Sequence, residues 1–270
     1  KENCPIYSLL GMKKTNPKIA YASVLFGKTP EDTFQIAKDL KEKNFQAIKF
    51  GWENFGIDLK KDEEHLIAAR DAMKDELELM IDVGAIWGTD VEEAKKRYKI
   101  FQDAKITWLE EPFYSDAFYE YSQLYNKTDL PLAGGESCHS IESAKNMIRF
   151  GKVKFIQIDA GIAGGILAGK EICDFAERNN IQDVNHTFTS HLQLSSSLQP
   201  YANSTKSKFS EFPQQLKSLA WDLTENHISM DENGCINIPD GVGHGMKINQ
   251  KALDEYNVDV EIFVNKEKLF

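Results

Sequence analysis

Short apolar runs alternate with amphipathic stretches along most of this chain. The runs are KIAYASVLF (18–26), AIKFG (47–51), LMIDVG (79–84), ITWLEEP (106–112), LPLAGGES (130–137), FIQIDAG (155–161), QDVNHTF (182–188) and a short SEF (210–212). The early ones are continuously apolar rather than alternating, which suits strands buried on both faces of a parallel sheet. The stretches between them have helical period. TPEDTFQIAKDLKEK opens with Thr29 as N-cap, Pro30 at the first helical position and Asp32 three residues after the cap. Its pattern predicts that Phe34, Ala37 and Leu40 share one face. DEEHLIAARDAM, DVEEAKKRYKIFQDA and SIESAKNMIRF follow, each with acids early and Lys or Arg later, as the helix dipole favours. The tail SMDENGCINIPDGVGHGMKIN predicts a small irregular strand pair closing one end.

Eight strands alternating with helices predict an α/β fold with a parallel sheet. The 270 residues suit closure into a TIM-type (β/α) barrel, which typically takes about 250. An open doubly wound sheet is the alternative. The glycine-rich turn GIAGGI is not the GxGxxG dinucleotide fingerprint, which would also have to follow the first strand.

In such a barrel, functional groups sit at the C-terminal ends of the strands. Read in order, those ends carry Lys49, Asp82, Glu110 with Glu111, Glu136, Asp159, His186 and Glu211. From Lys49 to His186 the successive gaps are 33, 28, 26, 23 and 27 residues. Each gap is about one β/α unit, so the groups converge on one mouth. Asp82, Glu110 and Glu136 come from three adjacent strands, and unpaired they would raise one another's pKa. A hard divalent cation removes that conflict, and Mg²⁺ prefers such oxygen ligands. Lys49 flanks one side. Asp159 and His186 flank the other, one strand apart, so that a carboxylate can orient an imidazole. Glu211, if protonated, would hydrogen-bond a substrate oxygen.

Composition narrows the function classes. The net charge of −10 disfavours nucleic acid as a partner and gives no long-range steering of an anionic substrate. No apolar run approaches the roughly 18 residues that span a bilayer, and the N-terminus carries no convincing signal peptide. Cys4, Cys138, Cys173 and Cys235 are scattered, without CxxC or zinc spacing, and read as reduced thiols of a cytoplasmic protein.

The motifs AIKFG, LMIDVG, WLEEP, GGES, IQIDAGIAGG and VNHTF resemble, in order and spacing, the barrel domain of the enolase superfamily, in its mandelate racemase-like branch. The resemblance covers nearly the whole chain. It implies that Asp82, Glu110 and Glu136 ligate Mg²⁺, with Glu111 in support. It also implies that Asp159 and His186 form an acid/base dyad and that Lys49 matches the lysine of the second strand. The implied reaction removes a proton α to the carboxylate of an aldonic or aldaric acid. The resulting enediolate leads to dehydration, epimerisation or cycloisomerisation, so the chain reads as a lyase or an isomerase acting on a small-molecule carboxylate.

Three departures refine this. Many relatives carry Lys-x-Lys on the second strand, whereas here the residues are Lys49-Phe50-Gly51, which disfavours a two-base racemase using the second lysine. The wording of KFGW and NHTFTSH is nearer the acid-sugar cycloisomerases and dehydratases. The third strand has Asp82-Val83-Gly84 where Asp-x-Asn is frequent. The chain is also expected to be one barrel domain over 1–270 with a short C-terminal extension, without the N-terminal α+β cap of relatives. That expectation leaves a second hypothesis open, a non-catalytic barrel that keeps a metal site. A third is a Schiff-base aldolase using Lys49. Homo-oligomerisation is compatible with both of the first two.

Several residues have competing readings. His191 rivals His186 as the dyad histidine, and His186 is preferred because its spacing from Asp159 suits neighbouring strands. His65, His139, His227 and His244 read as surface or loop residues, although His139 follows Glu136 closely. Gly161, Gly164 and Gly165 would cradle an anion at a helix N-terminus or serve a tight turn. Trp52 and Trp87 would wall a pocket or simply pack.

Overall fold

The computed structural model describes residues 2–53, 55–214, 216–258 and 260–268. Eight parallel strands follow one another around a nearly closed barrel: β1 (Lys18–Leu25), β2 (Ala47–Gly51), β3 (Glu78–Asp82), β4 (Ile106–Glu110), β5 (Leu132–Gly134), β6 (Phe155–Ile158), β7 (Gln182–Asn185) and β8 (Phe209–Pro213). Each pairs in parallel with its sequence neighbour from β1 to β7, and β8 pairs with β1. Several strands are shorter than their apolar runs. Glu136, Asp159 and His186 therefore lie just past the ladders of β5, β6 and β7 rather than within them.

Alternation along each strand explains the interior. One residue from every strand fills a central layer: Tyr21, Ala47, Met80, Trp108, Ala133, Phe155, Val184 and Phe209. The side chain two residues further on points the same way. Below the mouth this places Lys49 above Ala47, Asp82 above Met80, Glu110 above Trp108 and Glu211 above Phe209. The other face of each strand packs against the helices in a second, larger core.

The register between β3 and β4 shifts by one residue after Leu79↔Ile106, so that Met80 pairs with Trp108 and Asp82 with Glu110. This bulge takes up Thr107 and brings the carboxylates of Asp82 and Glu110 level, a re-aiming typical of bulges beside functional sites.

The helix Pro30–Glu42 has the expected cap: Thr29 and Asp32 bond each other's backbone N–H groups. Its buried face is Thr33, Ala37 and Leu40, and Phe34 is exposed instead. Thr33 takes the inward place because its hydroxyl accepts the Gly27 N–H and bonds His65 Nδ1. DVEEAKKRYKIFQDA forms two short helices, Val91–Lys95 and Tyr98–Asp103, rather than one. Arg97, at the break, is buried and bonds Asp62, Glu93 and the Gly56 carbonyl, which fixes the chain at that corner. The tail forms a two-residue strand, β9 (Cys235–Ile236), which pairs antiparallel with the start of β1 and bridges to Met230. It covers the end of the barrel opposite the mouth.

Between β7 and β8 side chains replace the ladder. Asn185 Oδ1 accepts the Glu211 N–H at 3.1 Å and the Tyr201 hydroxyl at 2.8 Å, and Asn185 Nδ2 donates to Thr187 Oγ1 at 3.0 Å. Lower down, Ser207 Oγ accepts the Asp183 N–H at 2.9 Å. Among the described residues, no helix is long and apolar enough to cross a membrane.

Candidate active site

Lys49, Asp82, Glu110, Glu136, Asp159, His186 and Glu211 meet at the mouth. Asp82, Glu110 and Glu136 each offer a carboxylate oxygen, and these oxygens lie within 4.8 Å of one another. Gly84 N–H donates to Asp82 Oδ1 at 2.9 Å, and Trp108 Nε1 donates to Glu110 Oε2 at 2.9 Å. Both bonds leave the second oxygen of each carboxylate directed elsewhere. Glu136 reaches the group because Gly135 precedes it with φ +120, where a Cβ would stand 2.7 Å from Ile156 Cδ1.

The triad is electrostatically uncomfortable by itself. Burial and the Glu110 carboxylate push Asp82 up to about 7. Burial raises Glu136 as well, against the pull of His186. Glu111 is buried with φ +41 and one carboxylate oxygen lacking a hydrogen-bond partner, and burial with Glu136 and Glu110 pushes it up to about 8. Three hard oxygen donors crowded in this way fit a small divalent cation, whose charge would relieve the repulsion.

Lys49 Nζ lies 2.5 Å from Glu110 Oε1, 3.0 Å from Glu211 Oε1 and 3.6 Å from Asp82 Oδ2. Burial alone would push its pKa down. The carboxylates of Glu110 and Glu211, with Tyr21 and Asp82, outweigh that and hold the ammonium well above its ordinary value. The Tyr21 ring lies beneath it, 5.6 Å from Nζ to the centroid. A Schiff-base role for Lys49 would leave the convergent carboxylates of Asp82, Glu110 and Glu136 without a task.

On the opposite flank, His186 Nδ1 stands 3.1 Å from Asp159 Oδ2, and Nε2 stands 3.3 Å from Glu136 Oε2. Burial would lower the imidazole, but the Asp159 hydrogen bond, Glu211 and Glu136 raise it to about 9. Asp159 is itself fixed from below. Its Oδ1 accepts the Gly161 N–H at 2.8 Å and Gln193 Nε2 at 2.7 Å. The anion at that glycine-rich helix start is thus Asp159's own carboxylate, which caps helix Ala160–Ala163. Its pKa is lowered, since the His186 contacts and these N–H groups outweigh burial.

Glu211 sits between the two flanks, 3.0 Å from Lys49 Nζ and 4.0 Å from His186 Nε2. Burial favours protonation, but Lys49, His186 and the Thr187 N–H, at 2.7 Å from Oε2, hold it below the ordinary carboxylate range. His191 does not approach Asp159. It opens helix His191–Leu198, its Nδ1 accepts the Ile228 N–H at 3.1 Å, and it packs edge-on to Trp221 and His227. Trp87 is buried and bonds the Gly56 carbonyl, whereas Trp52 lines the mouth. His139 is exposed.

Sequence reasoning passed over Gln193, which holds Asp159, and Asn185, which holds β8. It also passed over Gln157, buried on β6 with neither carboxamide atom hydrogen-bonded. Gln157 was accessible to the period-two argument, since it lies two residues before Asp159 and two after the inward Phe155.

A family model described as "Enolase C-terminal domain-like" matches residues 33–252. The chain belongs to that family. Within this enolase-like family it is 26% identical to the D-gluconate dehydratase of Thermoproteus tenax over 98% of this chain and 55% of that protein. It is 26% identical to the D-galactarolactone cycloisomerase of Agrobacterium fabrum over 94% of this chain and 68% of that one. Among solved structures, a predicted mandelate racemase from Rhodobacter sphaeroides superposes with a TM-score of 0.92 at 38% identity, covering 98% of this chain and 68% of that one. The chain thus spans little more than half the length of the gluconate dehydratase and about two thirds of the other two enolase-like proteins.

Proposed function

We propose that this barrel carries the active site of a Mg²⁺-dependent enzyme that removes a proton α to the carboxylate of a sugar acid, leading to dehydration or cycloisomerisation. The observation that carries the reading is the pairing of a three-carboxylate cluster with two proton-handling groups on opposite flanks of one mouth. Two relatives named for a sugar-acid dehydratase and a sugar-lactone cycloisomerase support the reaction class.

Asp82, Glu110 and Glu136 would hold the metal. When bound, Mg²⁺ would supply Lewis-acid stabilisation of charge developing on the substrate carboxylate. The remaining work belongs to the side chains. Lys49 Nζ takes the α-proton. Two of the carboxylates around it, Glu110 and Asp82, are those that would hold the metal, and a bound cation would compete with the ammonium for them. His186, oriented through Nδ1 by Asp159, presents a protonated Nε2 from the other side. It gives that proton to the oxygen leaving the β-carbon as the C–O bond breaks. In a dehydration the oxygen departs as water, and in a cycloisomerisation it stays tethered to the product. Glu211 links the two flanks by contacting both Lys49 and His186.

Proton NMR in D₂O with Mg²⁺ and a panel of aldonic and aldaric acids tests this. Loss of an α-proton signal that EDTA abolishes is the expected result. Stoichiometric Mg²⁺ binding without exchange on any acid would overturn it in favour of a non-catalytic barrel.

A further inference from the structure

The three carboxylates of the cluster are not held alike. Asp82 Oδ1 accepts the Gly84 N–H and Glu110 Oε2 accepts Trp108 Nε1, each at 2.9 Å, and neither donor has another task in the proposed reaction. Glu136 lacks such a donor. Among the described residues its carboxylate meets only His186 Nε2, 3.3 Å from Oε2. That nitrogen is the one assigned to the substrate, so a working site has to draw it away from Glu136. A carboxylate that ligates a metal is normally fixed by a hydrogen bond of its own, and Glu136 would lose its contact at the step that needs it.

The adjoining strand carries the complement. Gln157 lies two residues beyond the inward Phe155 of β6. The same step on other strands leads to Lys49, Asp82, Glu110, His186 and Glu211, so Gln157 belongs to the charged layer and not to the apolar one beneath it. It is 1% exposed, and neither Nε2 nor Oε1 has a partner. The register of β5 with β6, Ala133↔Phe155 and Gly134↔Ile156, brings Gly135 level with Gln157. The two backbones are close there, since a Cβ on Gly135 would stand 3.1 Å from the Gln157 carbonyl oxygen. Glu136 is the next residue. On the other side Gln157 pairs with Val184, which offers no polar side chain. A buried carboxamide with both atoms unpartnered costs stability, and an apolar side chain of similar shape would suit a purely structural position better.

We propose that Gln157 is a positioning residue for the metal: in the loaded site its Nε2 donates to Glu136, holds that carboxylate toward the cation and leaves His186 Nε2 for the substrate. This rests on the function proposed above and deepens it. The pairing joins a carboxylate without a donor of its own to a donor without an acceptor, on adjacent strands. A neutral amide suits the task, because it orients the carboxylate without adding a charge that opposes the cation. In the free barrel the imidazolium is the stronger partner for Glu136, since a charged donor outcompetes a neutral one. With a cation in place the imidazolium is repelled, and the amide becomes the better partner.

Calorimetric titration with Mg²⁺ and melting curves in EDTA, on the parent chain and on Gln157→Met, test this without requiring turnover. Met has nearly the length of Gln and no hydrogen-bonding head. Gln157→Met is expected to bind Mg²⁺ roughly 10–100-fold more weakly, the usual scale for partners of metal ligands. In EDTA it is expected to melt at or above the parent's temperature, because the free chain makes no use of the carboxamide. Gln157→Leu gives the same two readings should Gln157→Met not fold. An unchanged Mg²⁺ affinity overturns the role of Gln157 and leaves the proposed function intact. A lower melting temperature in EDTA does the same, since the carboxamide would then be partnered in the free chain already. Absence of Mg²⁺ binding to the parent overturns both.

Discussion

The carboxamide oxygen of Asn185 accepts the backbone N–H of Glu211 at 3.1 Å, across the seam where β7 meets β8. The same oxygen accepts the Tyr201 hydroxyl, and the amide nitrogen donates to Thr187, whose own N–H holds Glu211. One side chain thus sets the height of Glu211 against Lys49 and His186. Asn185→Leu, close in volume, leaves the Glu211 N–H buried without a partner, and a loss of about 1–3 kcal/mol in urea unfolding is expected. An unchanged midpoint would show that the seam is held by other contacts.

Removing a carboxylate of the cluster should act on metal affinity before it acts on the fold. In the parent protein, Mg²⁺ at about 100-fold its Kd is expected to stabilise by about 2.7 kcal/mol, because the unfolded chain lacks the site. Asp82→Asn and Glu136→Gln should each lose most of that increment. Both should match or exceed the parent's melting temperature in EDTA, since each relieves a crowded carboxylate. Melting curves with and without Mg²⁺ measure both effects. A full Mg²⁺ increment in either variant would place the metal elsewhere.

Lys49 and His186 are assigned different proton transfers, and the two variants should differ in kind. Lys49→Met is expected to abolish α-proton exchange. His186→Asn should retain exchange while slowing product formation by roughly 10²–10⁴-fold, the usual scale of general acid catalysis. Asp159→Asn should resemble His186→Asn, because it loosens the imidazole rather than removing it. Deuterium incorporation followed beside product formation separates the cases, and loss of exchange in His186→Asn would reverse the two roles.

His191 gives a pH dependence away from the cluster. Burial, aided by His227, lowers it to about 4, whereas an unfolded histidine titrates near 6.5. Between those values the unfolded chain binds a proton that the folded chain refuses. Stability therefore falls as pH drops through that window and is unaffected by this group above it. His191→Asn keeps an acceptor for the Ile228 N–H and should flatten the fall in melting temperature between about pH 6.5 and 4. Parallel curves for the two proteins would assign acid sensitivity to other groups.

Much of this site was legible because barrel chemistry is written at a fixed interval. Lys49, Asp82, Glu110 and Glu211 each lie two residues beyond an inward core residue, and period two carries them inside. Asp159 and His186 declared themselves by spacing. What was not legible depends on contacts between distant segments. Nothing local marks Asn185 as a substitute for a missing ladder, or Gln193 as the support beneath Asp159. Nor does apolarity show that Thr33 rather than Phe34 turns inward, since that depends on hydroxyl contacts to Gly27 and His65. The helix predicted through Arg97 breaks because a buried guanidinium there serves Asp62 and Gly56 on another segment.

β1 is hydrogen-bonded to β2 on one side, to β8 on the other and to β9 at its start. It is the first barrel strand to be synthesised and the last to gain its second neighbour. Until residues 209–236 have been made, β1 has an open edge, and the half-built barrel can recruit another chain there as readily as its own β8. Slow, concentration-sensitive refolding follows from that order of pairing, with β1 as the segment on which productive closure and aggregation compete.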